Sequence, residues 1–294
     1  MSDYIITTDL TADYPPELME DDFYIMPMSY AIDGVEYDGK TQAYLPAHEF
    51  FSLLASGKTA STSMVPTAVV YDYFADILKR TGKDILHLSF PAAMSGCYAS
   101  CVEAANKLKT DFPERRVVVI DSKCASVGLG MLAWYALKKR REGASMGENA
   151  AYVTELRDHI GHAFTVDDLM HLYRGGRLKR GSAVVGQVMK LKPIIMVDEN
   201  GALVNIANVM GRKIAIRSLV DKMKHDDGGY KNEVIFIGHG DCLDDALRLK
   251  ERVNETFGEQ NVVISELGPI IGSHCGKGML ALIYLAKNKT DRGI

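Results

Sequence analysis

Hydroxyl side chains near the ends of predicted strands and the starts of predicted helices are the residues of this sequence best suited to bind an anion. They are Thr8, Thr62, Ser63, Ser89, Ser95 and Ser122, with Gly96 and Asp121 beside them. Hydroxyl and backbone N–H groups at helix starts hold carboxylates or phosphates, and a glycine lets the ligand come close. Any one of these hydroxyls is more often a helix cap, but several at one edge of a sheet indicate an anion site.

Two glycine-containing segments in the second half supply cations and a histidine. GPIIGSHCGKG (residues 268–278) contains His274, and RGGRLKR (residues 174–180) contains Arg174, Arg177, Lys179 and Arg180. The glycines indicate backbone conformations that other residues adopt only with strain. A solvated basic turn and a structural histidine are the alternatives. We expect His274 to lie in a loop between two strands, where it is placed for a ligand.

Familiar enzyme motifs match poorly. GLGMLA (residues 128–133) begins too far after the preceding strand for a dinucleotide site, and residues 272–277 are one residue short of a phosphate loop. Ser95 lacks the GxSxG context, although a hydrolase that uses Ser95, His274 and an aspartate on an acyl or phosphoryl substrate remains an alternative. No histidine, cysteine and carboxylate spacing completes a metal site, so we expect neither a metal nor a cofactor.

Three short apolar runs alternate with helical patterns in the first half. The runs are YIITT, ILHLS and VVVID, and the helices are expected at about residues 67–80, 98–109 and 127–141. This alternation predicts a parallel sheet covered on both faces. Ligands of such sheets bind outside the carboxyl ends of the strands, which is where the hydroxyl groups lie.

The second half has a different pattern. Two strands around the turn DENG (residues 198–201) predict an antiparallel hairpin, and further helices and strands follow it. We therefore predict an N-terminal α/β domain over residues 1–160, with a small inserted segment at about 15–58. A C-terminal α+β domain with a mixed or antiparallel sheet is expected over residues 161–294, after a helix at about 146–160.

Composition limits the partners. The chain has 294 residues, 47% of them hydrophobic, and a net charge of −4, which does not supply the basic field that nucleic acid requires. No apolar run approaches the roughly 18 residues of a membrane span, so we expect a cytoplasmic protein. The five cysteines form no pairing or zinc pattern. The 14 methionines suit a pocket that must fit flexible apolar shapes.

Taken in order along the chain, these motifs resemble the DegV family, bacterial fatty-acid-binding proteins that act as the acyl-carrying subunits of fatty-acid kinase. The matching segments are IITTDLTADYP, STSMVP, SGCYASC, VIDSKCASVGLG, DLMHLYRGGRL, LKPII and GPIIGSHCGKG. The resemblance spans nearly the whole chain. It implies one long-chain fatty acid buried between the two domains, and a binding protein rather than an enzyme.

The resemblance also implies residue roles. The carboxylate would be held by Thr62, Ser95, His274 and Arg177, with Ser63, Gly96, Asp121 and Ser122 in supporting loops. The basic residues Arg174, Lys179 and Arg180 would dock the kinase catalytic subunit. Transient contact with a membrane surface is implied for ligand uptake. Cys97 and Lys277 depart from the family pattern at the rim of the head-group site.

Most of the binding free energy of such a ligand is expected from its tail. Burying about 16 methylenes at ~0.8 kcal/mol each offers roughly 13 kcal/mol before entropic costs. Each hydrogen bond to the charged head group contributes only about 1.5–3 kcal/mol. We therefore expect the tail to supply affinity and the head-group residues to set orientation. Methionines are expected along the tail.

Overall fold

The described part of the chain forms two large β-sheets and one small sheet, each covered by helices. The structure is a computed structural model that describes residues 4–178, 191–287, 289 and 291–293. The strands are β1 Tyr4–Asp9, β2 Phe23–Met26, β3 Tyr30–Ile32, β4 Val35–Tyr37, β5 Ala60–Thr62, β6 Asp84–Ser89, β7 Val117–Asp121, β8 Ile160–Thr165, β9 Leu191–Val197, β10 Leu203–Met210, β11 Ile235–His239, β12 Val262–Glu266 and β13 Leu280–Leu285. The α-helices are α1 Ala47–Ala55, α2 Thr67–Thr81, α3 Cys97–Asp111, α4 Val127–Arg141, α5 Met146–Leu156, α6 Met170–Arg174, α7 Arg212–Asp226, α8 Leu243–Phe257 and α9 Pro269–Cys275, and short 3-10 helices span Leu10–Ala12 and Pro16–Leu18.

The N-terminal sheet is parallel, in the order β2-β1-β6-β7. Its two faces meet different helices. Tyr4 of β1 accepts a hydrogen bond from Asn149 of α5, while Thr7 bonds His87, whose other ring nitrogen faces Cys101 of α3. Successive side chains of a strand point to opposite faces, so helices cover both. The predicted parallel α/β architecture is confirmed.

The C-terminal sheet is mixed, in the order β10-β9-β8-β13-β11-β12, and within the described residues only β11 and β12 pair in parallel. One face packs under α7 and α8. The other packs toward the N-terminal domain, where α4 contacts β8, β11 and β13. The predicted α+β architecture with a mixed sheet is confirmed. The proposed boundary near residue 160 falls at the start of β8.

Helix α4 is buried nearly all round and joins the two halves. A Cβ on its Gly130 would lie 2.8 Å from the carbonyl oxygen of Ala12, and a Cβ on Gly128 would collide with the ring of His162. These glycines therefore serve close packing. Among the described residues, no helix is long and apolar enough to cross a lipid bilayer.

The small sheet, in the order β4-β3-β5, lies within and just after the predicted inserted segment. Strand β2 instead joins the N-terminal parallel sheet, so the separate layer starts only at β3. Pro27 lies between β2 and β3, and a proline cannot donate to a sheet ladder. This explains why β2 and β3 are separate strands.

Two segments differ from the sequence prediction. The helix expected to reach residue 160 ends at Leu156, and β8 follows as a central strand. Gly161 makes room there, because a Cβ would lie 2.6 Å from the Tyr284 ring on β13. His274, expected in a loop, lies in the last turn of α9. Pro269 occupies the first turn of α9, and Gly276 ends it with a φ of 72°.

Candidate ligand-binding site

A cavity lies where the carboxyl edge of the parallel sheet faces the inner side of the C-terminal sheet. It encloses about 790 Å³ of empty space, including the part that is open to solvent. Its walls are mainly apolar, with Phe90 from the first half and Phe164, Val197 and Ile283 from the second.

Polar side chains from four separate segments line this cavity. Thr62 comes from β5, Ser95 from the loop before α3, Arg177 from the loop after α6, and His274 from α9. All four are partly buried. The structure thus brings together the four residues for which the sequence predicts carboxylate contacts.

Thr62 and His274 form a hydrogen-bonded pair, with 2.8 Å between Oγ1 and Nε2. Nδ1 of His274 is buried and has no partner among the described residues. A buried donor without an acceptor is more costly than an unused lone pair, so we place the ring proton on Nε2. Thr62 then accepts from the histidine, and its hydroxyl proton is available to a ligand.

His274 is held in its neutral form. Burial disfavours the imidazolium, and the nearby Arg177 guanidinium repels it, so the pKa of His274 falls to about 4. At neutral pH the positive charge among these four side chains therefore belongs to Arg177. A ligand carboxylate would meet one cation and neutral hydrogen-bond donors.

Gly175 sets the position of the His274 ring. A Cβ on Gly175 would lie less than 3.0 Å from Nδ1 of His274. From the other side, α1 presses on α9: a Cβ on Gly272 would lie 2.8 Å from the ring of Phe50 and 2.9 Å from that of Phe51. Glycine at both positions allows these close approaches.

Arg177 is anchored by carbonyl groups. Its Nε donates to the carbonyl oxygen of Met94 at 3.1 Å, and its Nη1 donates to that of Gly175 at 2.5 Å. These bonds orient the guanidinium within the cavity wall. No described residue accepts a hydrogen bond from Nη2, so the guanidinium retains donors for an anion.

Ser95 lies beside this group but is not paired with His274. Its Oγ accepts a hydrogen bond from the backbone N–H of Cys97, the first residue of α3, at 3.2 Å. His274 instead bonds Thr62, and no described carboxylate contacts its Nδ1. The geometry does not assemble the serine hydrolase that the sequence left open.

The sequence and the fold match a known family. The family model described as "Uncharacterised protein, DegV family" matches residues 4–287. The chain belongs to the DegV family. A DegV domain-containing protein of Clostridium perfringens is 33% identical over 290 residues, which cover 98% of this chain and 99% of that protein.

Solved DegV structures share the fold. The fatty acid binding DegV family protein of Streptococcus agalactiae aligns with a TM-score of 0.84 at 26% identity, covering 98% of this chain and 100% of that one. A DegV family protein of Ruminococcus gnavus, described with vaccenic acid, aligns with a TM-score of 0.87 at 20% identity, covering 96% and 100%. The predicted family is therefore confirmed.

The remaining predicted residues take different places in this DegV chain. Ser63 is exposed and lines the cavity, and Gly96 packs against Met64, which also lines it. Asp121 accepts backbone hydrogen bonds from Ala92 and Lys123, each at 3.2 Å, and lies outside the cavity lining.

Ser122 also lies behind the cavity wall, where it bonds both backbone groups of Cys124. Ser122 and Asp121 therefore shape the loop after β7. Arg174 is exposed at the end of α6. Lys179 and Arg180 lie outside the described residues.

Sequence reasoning missed several lining residues of the DegV cavity, among them Thr11, Ser126 and His162. His162 accepts the backbone N–H of Ala125 on Nε2 at 3.1 Å and bonds the carbonyl oxygen of Ile160 through Nδ1. This arrangement requires the neutral ring, and burial lowers its pKa to about 3. The surrounding sequence, HIGH at residues 159–162, has no pattern that predicts this packing role.

Methionines contribute to the lining, as the composition suggested. Met28, Met64, Met94 and Met279 all face the cavity. Each comes from a different segment between β2 and β13. Flexible thioether chains can adapt to an acyl chain whose bends differ from one ligand to another.

Proposed function

We propose that this chain binds a long-chain fatty acid in the cavity, with the tail against its apolar walls and the carboxylate at Thr62, Ser95, Arg177 and His274. The observation that carries the proposal is the combination of one apolar cavity with these convergent polar groups. Burial of the tail supplies most of the affinity at about 0.8 kcal/mol per methylene. The Streptococcus agalactiae relative, named a fatty acid binding protein, supports the same ligand class.

The head-group contacts follow from the hydrogen-bonding capacity of each residue. Thr62 donates its hydroxyl proton while it accepts from His274, and Ser95 donates its own while it accepts from Cys97. Arg177 supplies the compensating charge. A partly buried carboxylate is costly without such partners. Hydroxyl donors at this position leave the carboxylate oxygens more accessible than a bidentate arginine clamp would.

We further propose that the chain presents this carboxylate to a separate ATP-dependent kinase, which forms the acyl phosphate. Two features support presentation: the head-group residues are only partly buried, and the exposed Arg174 lies close to Arg177. The chain then acts in the cytoplasm, where ATP is present. It takes up its ligand by transient contact with a membrane surface and does no phosphoryl chemistry itself.

Native mass spectrometry tests ligand binding. The full chain, expressed in bacteria and kept folded, should carry an extra mass equal to that of a long-chain fatty acid. Thr62→Val keeps the shape but removes the hydroxyl, so affinity for added oleate should fall about tenfold, the value of one charge-assisted hydrogen bond. Thr62→Ser is the matched control and should bind nearly as well as the wild type. An empty wild-type protein that also fails to bind added oleate would refute the proposal.

Presentation has its own test. Arg174→Ala should lower acyl-phosphate formation by the kinase and ATP, because it removes an exposed charge near the head group. Its affinity for oleate should equal that of the wild type. Lys179→Ala should have the same two effects as Arg174→Ala. Equal losses of oleate binding and turnover in both variants would show that these residues serve the ligand and not a kinase.

A further inference from the structure

Asp13 connects three separate segments through hydrogen bonds. Its Oδ2 accepts the hydroxyl of Ser126 at 2.6 Å, and its Oδ1 accepts the backbone N–H of Gly268 at 2.8 Å. Its carbonyl oxygen accepts the hydroxyl of Ser265 at 2.7 Å. Asp13 is buried and has a positive φ of 44°, which is uncommon outside glycine. This uncommon backbone conformation persists because the three hydrogen-bonded segments fix it, and Asp13 in turn joins these segments.

Two of these segments lead to the cavity. Gly268 is the residue before α9, and His274 follows six residues later, about 9 Å along a helix that rises ~1.5 Å per residue. Ser126 precedes α4, lines the cavity and has itself a positive φ of 54°. Asp13 therefore fixes the start of α9 and the position of Ser126 in the cavity wall.

The surroundings of Asp13 disfavour a negative charge. Asp9, on the strand before it, carries a like charge, and the thiol of Cys275 faces it from α9. Ser126 on the α4 side and Ser265 on β12 are neutral, and no described cation forms an ion pair with Asp13. Burial, opposed by the two hydrogen bonds to the carboxylate, raises the pKa of Asp13 to about 7.

We propose that Asp13 is a positioning residue for the head-group end of the cavity, and that filling the cavity is accompanied by partial uptake of a proton at its carboxyl group. This inference rests on the proposed function, because the occupant is an acyl chain. An acyl chain in the cavity would exclude water from the wall at Ser126, the residue that donates a hydrogen bond to the Asp13 carboxylate. Loss of water disfavours the charged form, and the ligand carboxylate adds repulsion.

The neutral acid fits the same geometry. A proton from solvent adds to Oδ2, which then donates to Ser126 Oγ, while Oδ1 still accepts from Gly268. The hydrogen bond between Asp13 and Ser126 reverses its direction, and the Ser126 hydroxyl proton is released toward other acceptors. Asparagine can make the same contacts, with its amide donating to Ser126, but it cannot take up a proton. Asp13→Asn is therefore the matched control.

The experiment measures binding of oleate to the delipidated full chain by calorimetry between about pH 6 and pH 8. If the pKa of Asp13 rises from about 7 by a half to one unit, the ratio of wild-type affinity to Asp13→Asn affinity should be about two- to fivefold higher at pH 6 than at pH 8. The ratio to Asp13→Asn cancels the ionisation of oleate itself. Buffers of different ionisation enthalpy should show more proton uptake by the wild type than by Asp13→Asn.

Parallel pH profiles and equal proton uptake in the two proteins would overturn the inference while leaving the proposed function intact. If Asp13→Asn does not fold, Ser126→Ala replaces it. Ser126→Ala removes the group that receives the proton on Oδ2, so its proton uptake should also differ from that of the wild type, and an unchanged uptake would overturn the inference. Failure of the wild type to bind oleate at any pH would instead refute the proposed function.

Discussion

Gly175→Ala is a steric test of the head-group site. The backbone at Gly175 has φ −70° and ψ −12°, which alanine adopts without strain. The new Cβ would lie less than 3.0 Å from Nδ1 of His274 and 3.3 Å from the carbonyl oxygen of His171. The His274 ring must move, and its 2.8 Å hydrogen bond to Thr62 cannot survive unchanged.

The expected cost has two parts. Overpacking of a close contact costs about 1–3 kcal/mol, and loss of one hydrogen bond adds about 1 kcal/mol. The free energy of unfolding, measured with urea, should therefore fall by about 2–4 kcal/mol. Oleate affinity should fall at least about tenfold, since ~1.4 kcal/mol corresponds to a factor of ten.

Gly147→Ala is the control for this substitution. It lies in α5, where a Cβ would meet no atom within 4 Å. Alanine in a helix is favoured over glycine by roughly 0.5–1 kcal/mol, so this variant should be slightly more stable than the wild type and bind oleate equally. Wild-type stability and affinity in Gly175→Ala would refute the idea that this glycine positions His274.

Three further predictions concern buried ionisable groups. Burial lowers the pKa values of His87 and His162 to about 3, so each stabilises the fold at neutral pH by up to ~4–5 kcal/mol. That stability is lost as pH falls from about 6.5 toward 3, and circular dichroism should show acid unfolding that His87→Gln makes less steep. The raised pKa of Asp13 gives the opposite pH dependence. The free energy of unfolding of Asp13→Asn, measured with urea, should exceed that of the wild type by up to ~4 kcal/mol near pH 8 and should equal it near pH 4. An equal difference at both pH values would contradict the assignment. Lys222 and Asp226 form a buried ion pair, so Lys222→Met should lose about 3–5 kcal/mol in the same assay, and adding Asp226→Leu should restore much of it.

The sequence predicted the elements with strong local patterns. The parallel sheet followed from short apolar runs that alternate with helices, and the bounds predicted for α4, residues 127–141, equal those observed. Local signals failed where long-range pairing decides the structure. Strand β8 is stabilised by β13 and β9 on its two sides, and its own sequence, IGHAFT, shows little apolar alternation.

The sequence predicted which residues form the site but not how the residues around it contact one another. Thr62, Ser95, Arg177 and His274 were identified because family motifs mark them, and all four line one cavity. The Asp13 network had no such signal. Ser126 is 113 residues away from Asp13 in sequence, and a positive φ at either residue leaves no trace in composition.

The hydrogen bond between Thr62 and His274 depends on the small sheet and on the inserted segment. Thr62 ends β5, and β5 pairs with β3 in this sheet. The same segment contributes α1, whose Phe50 and Phe51 pack against Gly272 of α9. One short stretch of chain therefore holds both partners of a bond between residues 212 positions apart. Changes in this stretch should alter the geometry of the Thr62–His274 pair before they alter the fold, because each partner of the hydrogen bond depends on it separately.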